Sequence, residues 1–294
     1  MSRYVAGVEV HLERVETAVI DLHTNSIVPG TSRHTFINAQ ESVENLLNCW
    51  TASITKSVNA HPGGDLKYVG VAIPGPFDYE NGIALMKNMG KFEALYGLNV
   101  KELLSERINI PKENIRTANN APCFLHGEIV NGLADGYSNV LGFILSAGLG
   151  SARFYQGVAT DADLWKAHFK GSIANDYLDN SWLARRYAEF TGHEAKSIQE
   201  LTELAKTDDG IGQLVFGEYG ENFAIFLAEY VKKFDTDLVV VGGHNEAWDL
   251  FISHVKDRLQ DKNINVPIRA AKLGDKAAVI GAGFLWEELK NNPA

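Results

Sequence analysis

The residues with the means to do chemistry sit at places where an apolar run breaks off. In ANNAPCFLHGE, Asn119 and Asn120 end a short extended piece, residues 114–117, and open a helix-like run with Pro122 in its first turn. Asparagine caps a helix start well, and proline is tolerated there because that N–H has no helical partner. Amides at a strand-to-helix junction also stand at the mouth of a cleft, where α/β proteins bind ligands. In VGVAIPGPFDYENG, a buried strand stops at Pro74-Gly75-Pro76, a stiff loop. In NVLGFILSAGLGSARFYQG, two strands flank Ser146, Ala147, Gly148 and Gly150, either a tight turn or a place where backbone amides meet an anion. In DLVVVGGHNEAW, a buried strand runs straight into Gly242 and Gly243, small enough for a close approach by a ligand or by a neighbouring element.

The elements that must carry these groups follow from periodicity. Residues 4–21 alternate apolar and polar and read as two antiparallel strands with a turn near residues 12–14. A third strand is expected over 27–36, an amphipathic helix over 40–60, a short strand over 86–89 and a helix over 100–107. The second half restarts with a strand over 139–145 and a returning strand over 153–155. Helices are expected over 181–190, 198–205, 213–234 and 248–259, and a last one over 277–289. Each half opens with a strand, a turn and a returning strand, which reads as a duplicated architecture.

Composition narrows the function. The 294 residues suffice for one large or two medium domains, and the net charge of −10 without a basic block argues against nucleic acid as a partner. Two cysteines, Cys49 and Cys123, make no disulfide framework and point to a reducing, cytoplasmic setting. The N-terminus reads as no signal peptide, and no apolar run approaches the roughly 20 residues of a membrane helix.

Six pieces in order are similar to those of the ROK family of sugar kinases and sugar-responsive repressors. VGVAIPGPFDYENG resembles the family's GIGIPGPVD, and ANNAPCFLHGE its ENDANAAALGE. NVLGFILSAGLGSARFYQG resembles its strand–GTGIGGG–strand phosphate turn, and SIANDYLDNSWLARRYAEFTG the segment after its zinc site. LVVVGGHNEAWDLF resembles its nucleotide-side glycine turn, and LGDKAAVIGAGFLW its closing helix. The resemblance implies an α/β fold of two duplicated actin/hexokinase-like (ribonuclease H-like) domains flanking a cleft. It puts a small N-terminal domain at 1–120, closed by the last helix at about 277–294, and a large domain at 121–276. With no helix-turn-helix ahead of the first strand, the kinase branch is expected over the repressor branch.

The same resemblance assigns roles. Asn120 stands where the family has its catalytic Asp, and an amide cannot accept the hydroxyl proton as a carboxylate does. Asn88, Asn119, Glu128 and His168 match sugar-binding positions. Glu9, Ser146, Ala147, Gly148, Gly150, Gly242 and Gly243 match the nucleotide and phosphate positions. The family's first phosphate loop, DIGGTK, reads here as Glu9, Val10, His11, Leu12, Glu13 and Arg14, with both glycines gone. The zinc site's cysteine run is missing from 168–180, so no zinc is expected. The implied function is magnesium-ATP-dependent phosphorylation of a hexose or amino sugar by a cytoplasmic homodimer. The missing base and the altered first loop weigh against catalysis, unless Glu9, Asp161 or Asp163 substitutes. The alternative is a non-catalytic sugar- or nucleotide-binding relative, a sensor or a partner subunit.

Overall fold

The computed structural model describes residues 3–64, 66–207 and 210–291, so the end of the expected closing segment, residues 292–294, lies outside the described residues. The chain divides into two units, Met1–Leu133 with Asp275–Ala294, and Ala134–Gly274.

The first unit begins with β1 (Tyr4–Val10), β2 (Arg14–Asp21), β3 (Ser26–Ile27), β4 (Arg33–Phe36) and α1 (Val43–Asn59). It continues with β5 (Val69–Ala72), β6 (Phe77–Asp78), β7 (Ile83–Ala84), α2 (Val100–Ile108), β8 (Ile115–Ala118) and α3 (Asn120–Val130). Its sheet runs β3-β2-β1-β5-β8, with β4 also paired to β2. β1 is antiparallel to β2 and parallel to β5, and β5 is parallel to β8. Glu9, Ala72 and Ala118 therefore stand abreast at the carboxyl ends of three parallel strands. Helix α1 starts where Ser42 caps Asn45 N–H, and it buries Leu46, Leu47, Trp50 and Ile54. Trp50 meets Phe92 edge-on at 5.7 Å. Each such fully buried side chain contributes about 1.5–3 kcal/mol.

Two expectations in this unit fail. The third strand is two short ones, because Pro29 and the turn after it interrupt the run between β3 and β4. The expected strand at 86–89 is absent, because Asn88 adopts left-handed backbone (φ 54°) that breaks the extended run.

The second unit holds β9 (Asn139–Leu145), β10 (Leu149–Tyr155), β11 (Val158–Asp161), β12 (His168–Phe169), β13 (Ser172–Ile173), α4 (Asn175–Leu178), α5 (Asn180–Thr191) and α6 (Ile198–Lys206). α7 (Gly210–Lys233), β14 (Leu238–Gly242), α8 (Trp248–Asp261) and β15 (Ile268–Ala270) complete it. Its sheet runs β11-β10-β9-β14-β15. β9 is antiparallel to β10 and parallel to β14, as β1 is to β2 and β5. The duplication read from two strand–turn–strand openings is thus a repeated sheet topology. Helix α7 is buried on several sides, and Phe143 of β9 packs edge-on against its Phe223 and Phe226.

The chain then returns to the first unit through α9 (Lys276–Gly283). α9 packs on α3 through reciprocal small residues. A Cβ on Gly127 would lie 2.0 Å from the Ala277 carbonyl oxygen, and one on Gly281 would lie 1.8 Å from that of Cys123. The α-helix ends sooner than expected and continues as a tighter 3-10 stretch, Phe284–Asn291. Trp286 leaves helical backbone there, and its indole N–H donates to the Val69 carbonyl at 3.0 Å.

Candidate functional site

In the first unit, the candidate groups gather at the carboxyl ends of β1, β5 and β8. Asn119 is the N-cap of α3: its Oδ1 accepts from Ala121 N–H at 2.9 Å. Its Nδ2 donates to the Tyr79 hydroxyl at 2.9 Å, and that hydroxyl donates to the Ile73 carbonyl at 3.2 Å. Asn119 is thus a cap and a tie to the loop after Pro74-Gly75-Pro76. Nothing in the sequence marks Tyr79 as the residue that completes this arrangement; only the fold brings it there. Asn120 Nδ2 donates to the Val10 carbonyl at 3.0 Å, while its Oδ1 is buried without a hydrogen-bond partner among the described residues.

The β1–β2 tip is held rigidly, because the carbonyls of Leu12 and Glu13 accept from Ala39 and Ile37 N–H. Glu9 is 5% exposed, and its Oε1 lies 3.0 Å from His11 Nε2. The ring N–H does not point along that line, so the contact is an ion pair when the ring is protonated rather than a directed hydrogen bond. Burial pushes the His11 pKa down, but Glu9 outweighs it and the net shift is upward. Opposite, Arg14 pairs with Glu16 at 2.7 Å and with Asp275 at 2.9 Å. Sequence comparison alone presents His11 as a lost glycine, and its pairing with Glu9 follows from their i, i+2 spacing on one strand face.

Asn88 is exposed in the segment after β7, and no hydrogen bond ties it to Asn119 or Asn120. Glu128 is fully buried on α3, eight residues or about 12 Å along the helix from Asn120.

The second unit gathers its candidates around Ile144. Gly150 of β10 and Gly242 of β14 both stand opposite Ile144 of β9, so the two glycine-bearing turns share one level of the sheet. Gly243 has φ 101°, and a Cβ there would lie 1.8 Å from the Leu145 carbonyl oxygen. The sheet packing itself requires a glycine at that point. Ser146 N–H donates to the Gly148 carbonyl at 3.3 Å. Leu149 N–H donates to Asn175 Oδ1 at 3.0 Å, and Asn175 Nδ2 to Asp179 at 3.0 Å. Between those anchors, the amides of Ala147 and Gly148 meet no acceptor among the described residues. That pair of free N–H groups is the nearest approach to an anion cradle in this unit. Asn175 is absent from the sequence-based candidates, and the available signal is its i, i+4 pairing with Asp179, the cap of α5.

His168 is exposed on β12, Asp161 is exposed at the end of β11, and Asp163, exposed just after it, pairs with Lys166. No three His, Cys, Asp or Glu side chains among the described residues converge to hold a metal ion, and residues 168–180 contain no cysteine. This donor set does not fit a structural zinc. Among the described residues no helix is long and apolar enough to cross a membrane.

The sequence matches the ROK family over residues 5–166 and 172–289. It is 25% identical over 255 residues to the N-acetylgalactosamine kinase AgaK of Shewanella sp. (strain ANA-3), covering 77% of this chain and 80% of that one. It is 24% identical over 253 residues to the N-acetyl-D-glucosamine kinase of Shigella sonnei (strain Ss046), covering 74% and 79%. Among solved structures, a ROK family glucokinase from Streptomyces griseus in complex with glucose and AMPPNP superposes with a TM-score of 0.79 at 18% identity, over 96% of this chain and 98% of that one. The ROK hexokinase from Thermus thermophilus gives 0.77 at 19%, over 98% and 100%. The fold is that of the actin/hexokinase-like ATPases, and with the match running across both units the chain belongs to the ROK family.

Proposed function

We propose that this chain is an ATP-dependent kinase that phosphorylates a hexose or an N-acetylated hexosamine. The observation that carries the reading is the β9–β10 turn. Its two free amides, at Ala147 and Gly148, are held open by Asn175 and offer an anion the backbone donors that a triphosphate needs. Magnesium enters with the nucleotide as part of the substrate, bound mainly by phosphate oxygens and water. The amides and carbonyls around Asn119 and Asn120 supply the groups suited to sugar hydroxyls. The names of the relatives, kinases of N-acetylgalactosamine and N-acetylglucosamine, support the substrate class.

A second reading is a ligand-binding relative without turnover. It is favoured by one observation: position 120 carries an amide whose nitrogen is already committed to Val10. The test is titration calorimetry with magnesium-ATP and a panel of hexoses and N-acetylhexosamines, followed by an assay for sugar-dependent ADP release. Sugar-dependent ADP release is the expected result. Sugar binding without ATP binding overturns the kinase reading in favour of a sensor.

A further inference from the structure

We propose that His11, backed by Glu9, is the general base that accepts the sugar hydroxyl proton in this chain. The proposal rests on the kinase reading and names the group that reading lacks. Phosphoryl transfer to a hydroxyl needs an acceptor for its proton, and Asn120 cannot be one. At the carboxyl ends of β1, β5 and β8, Glu9 and His11 supply basic side chains among the described residues. Glu9 is buried, and its Oε1 faces the His11 ring at 3.0 Å. His11 keeps 29% of its side chain exposed, and its other ring nitrogen, Nδ1, has no partner among the described residues. Of the pair, the His11 ring is therefore the side chain open to solvent. The residue before it, Val10, accepts the Asn120 amide at 3.0 Å. This places His11 one residue from the carbonyl that meets position 120. Asp161 ends β11 and Asp163 follows it, both exposed, and Asp163 is paired with Lys166.

In the step, the hydroxyl oxygen forms a bond to the γ-phosphorus of ATP. The bond from that phosphorus to the β,γ-bridging oxygen breaks, and its electron pair leaves on ADP. The hydroxyl proton passes to His11 Nδ1, the imidazolium is stabilised by Glu9, and the proton then goes to water. This arrangement follows the general logic of an imidazole whose positive charge is compensated by a carboxylate.

The charged and titratable groups around the ring are Glu9 on β1 and Arg14 and Glu16 on β2. Behind them are His34 on β4, 3.4 Å from Glu16, and Asp275 ahead of α9, paired with Arg14. On α3 the buried Cys123 thiol lies within the influence of Glu9. Burial lowers the His11 pKa, Glu9 and Glu16 raise it, and Arg14 lowers it, with a net rise. Activity should therefore climb with pH along an acid limb whose midpoint lies above the ordinary histidine value.

The experiment measures kcat and KM against pH for the wild-type protein, His11→Ala, His11→Asn and Glu9→Gln. The same sugar and magnesium-ATP are used throughout, with calorimetric binding of each. His11→Ala is expected to lower kcat by about 10²–10⁴-fold with little change in KM. It should also remove the acid limb, and added imidazole should restore part of the rate. Glu9→Gln should move the limb to lower pH. His11→Asn repeats the test with a polar side chain at the hairpin tip. If neither His11 variant folds, the wild-type profile decides, and the absence of a limb above the ordinary histidine range overturns the assignment. Wild-type turnover that survives His11→Ala overturns the base and leaves the kinase reading standing. A wild-type protein that binds neither ATP nor any sugar overturns both.

Discussion

The side-chain amide of Asn120 donates to the Val10 carbonyl at 3.0 Å, fastening the first turn of α3 to the last residue of β1. A carboxylate at that position would set two acceptors against each other. Asn120→Asp is therefore expected to cost about 1–3 kcal/mol of stability at neutral pH. The repulsion raises the new carboxyl's folded-state pKa, so the cost should shrink as the pH falls through that pKa and the group regains a donor. Denaturant unfolding at one acid and one neutral pH checks this, and an equal loss at both contradicts it.

The reciprocal contact of α3 and α9 makes a second prediction. A methyl group on Gly281 would sit on the Cys123 carbonyl, and one on Gly127 on that of Ala277. Neither obstacle is a flexible side chain, so the helices must separate. Gly281→Ala is expected to lose several kcal/mol, on the order of 3, by overpacking. A melting temperature within a degree or two of wild type would refute it.

His244 is 8% exposed, its Nε2 has no hydrogen-bond partner among the described residues, and its ring packs edge-on against Tyr219 at 5.8 Å. Burial holds its pKa down to about 4, from the usual 6.5. The unfolded chain takes up the proton first, so this site costs stability progressively as the pH falls from 6.5 towards about 4. The full effect is about 3 kcal/mol. His244→Phe keeps a ring against Tyr219 and removes the titration. Its stability should fall less steeply than wild type over that range in unfolding titrations, and parallel curves would be the contrary result.

Asn175 joins Leu149 N–H to Asp179, and so fixes the turn that carries the free amides. Asn175→Ala should weaken binding of a non-hydrolysable ATP analogue about tenfold, the equivalent of one hydrogen bond of about 1.4 kcal/mol. Calorimetry reads this directly, and unchanged affinity would separate Asn175 from nucleotide binding.

Much of this architecture was legible in local pattern. Alternation over residues 4–21 gave the β1–β2 hairpin, because a two-residue period is a property of consecutive side chains. Asn139–Leu145 read as a buried strand from its unbroken apolar run. The junctions at Asn119 and at Gly242-Gly243 were visible because amides and glycines interrupt apolar runs there. Element ends were less legible: Asn88 and Trp286 took backbone conformations that no periodicity encodes.

The amino-acid order alone determined most of the longer strands and helices, that the opening motif occurs twice, and that position 120 lacks a carboxylate. Only the tertiary structure decided what those residues do with their hydrogen bonds. Asn119 gives its amide to Tyr79, 40 positions away, and Asn120 gives its own to Val10, 110 positions away. Gly281 earns its place against Cys123 on a helix that returns to the first unit after all of the second. The physical reason is range. Propensity and periodicity act between neighbours in sequence. Strand order, close backbone approach and the sharing of scarce donors are settled among residues that meet only when the chain is folded.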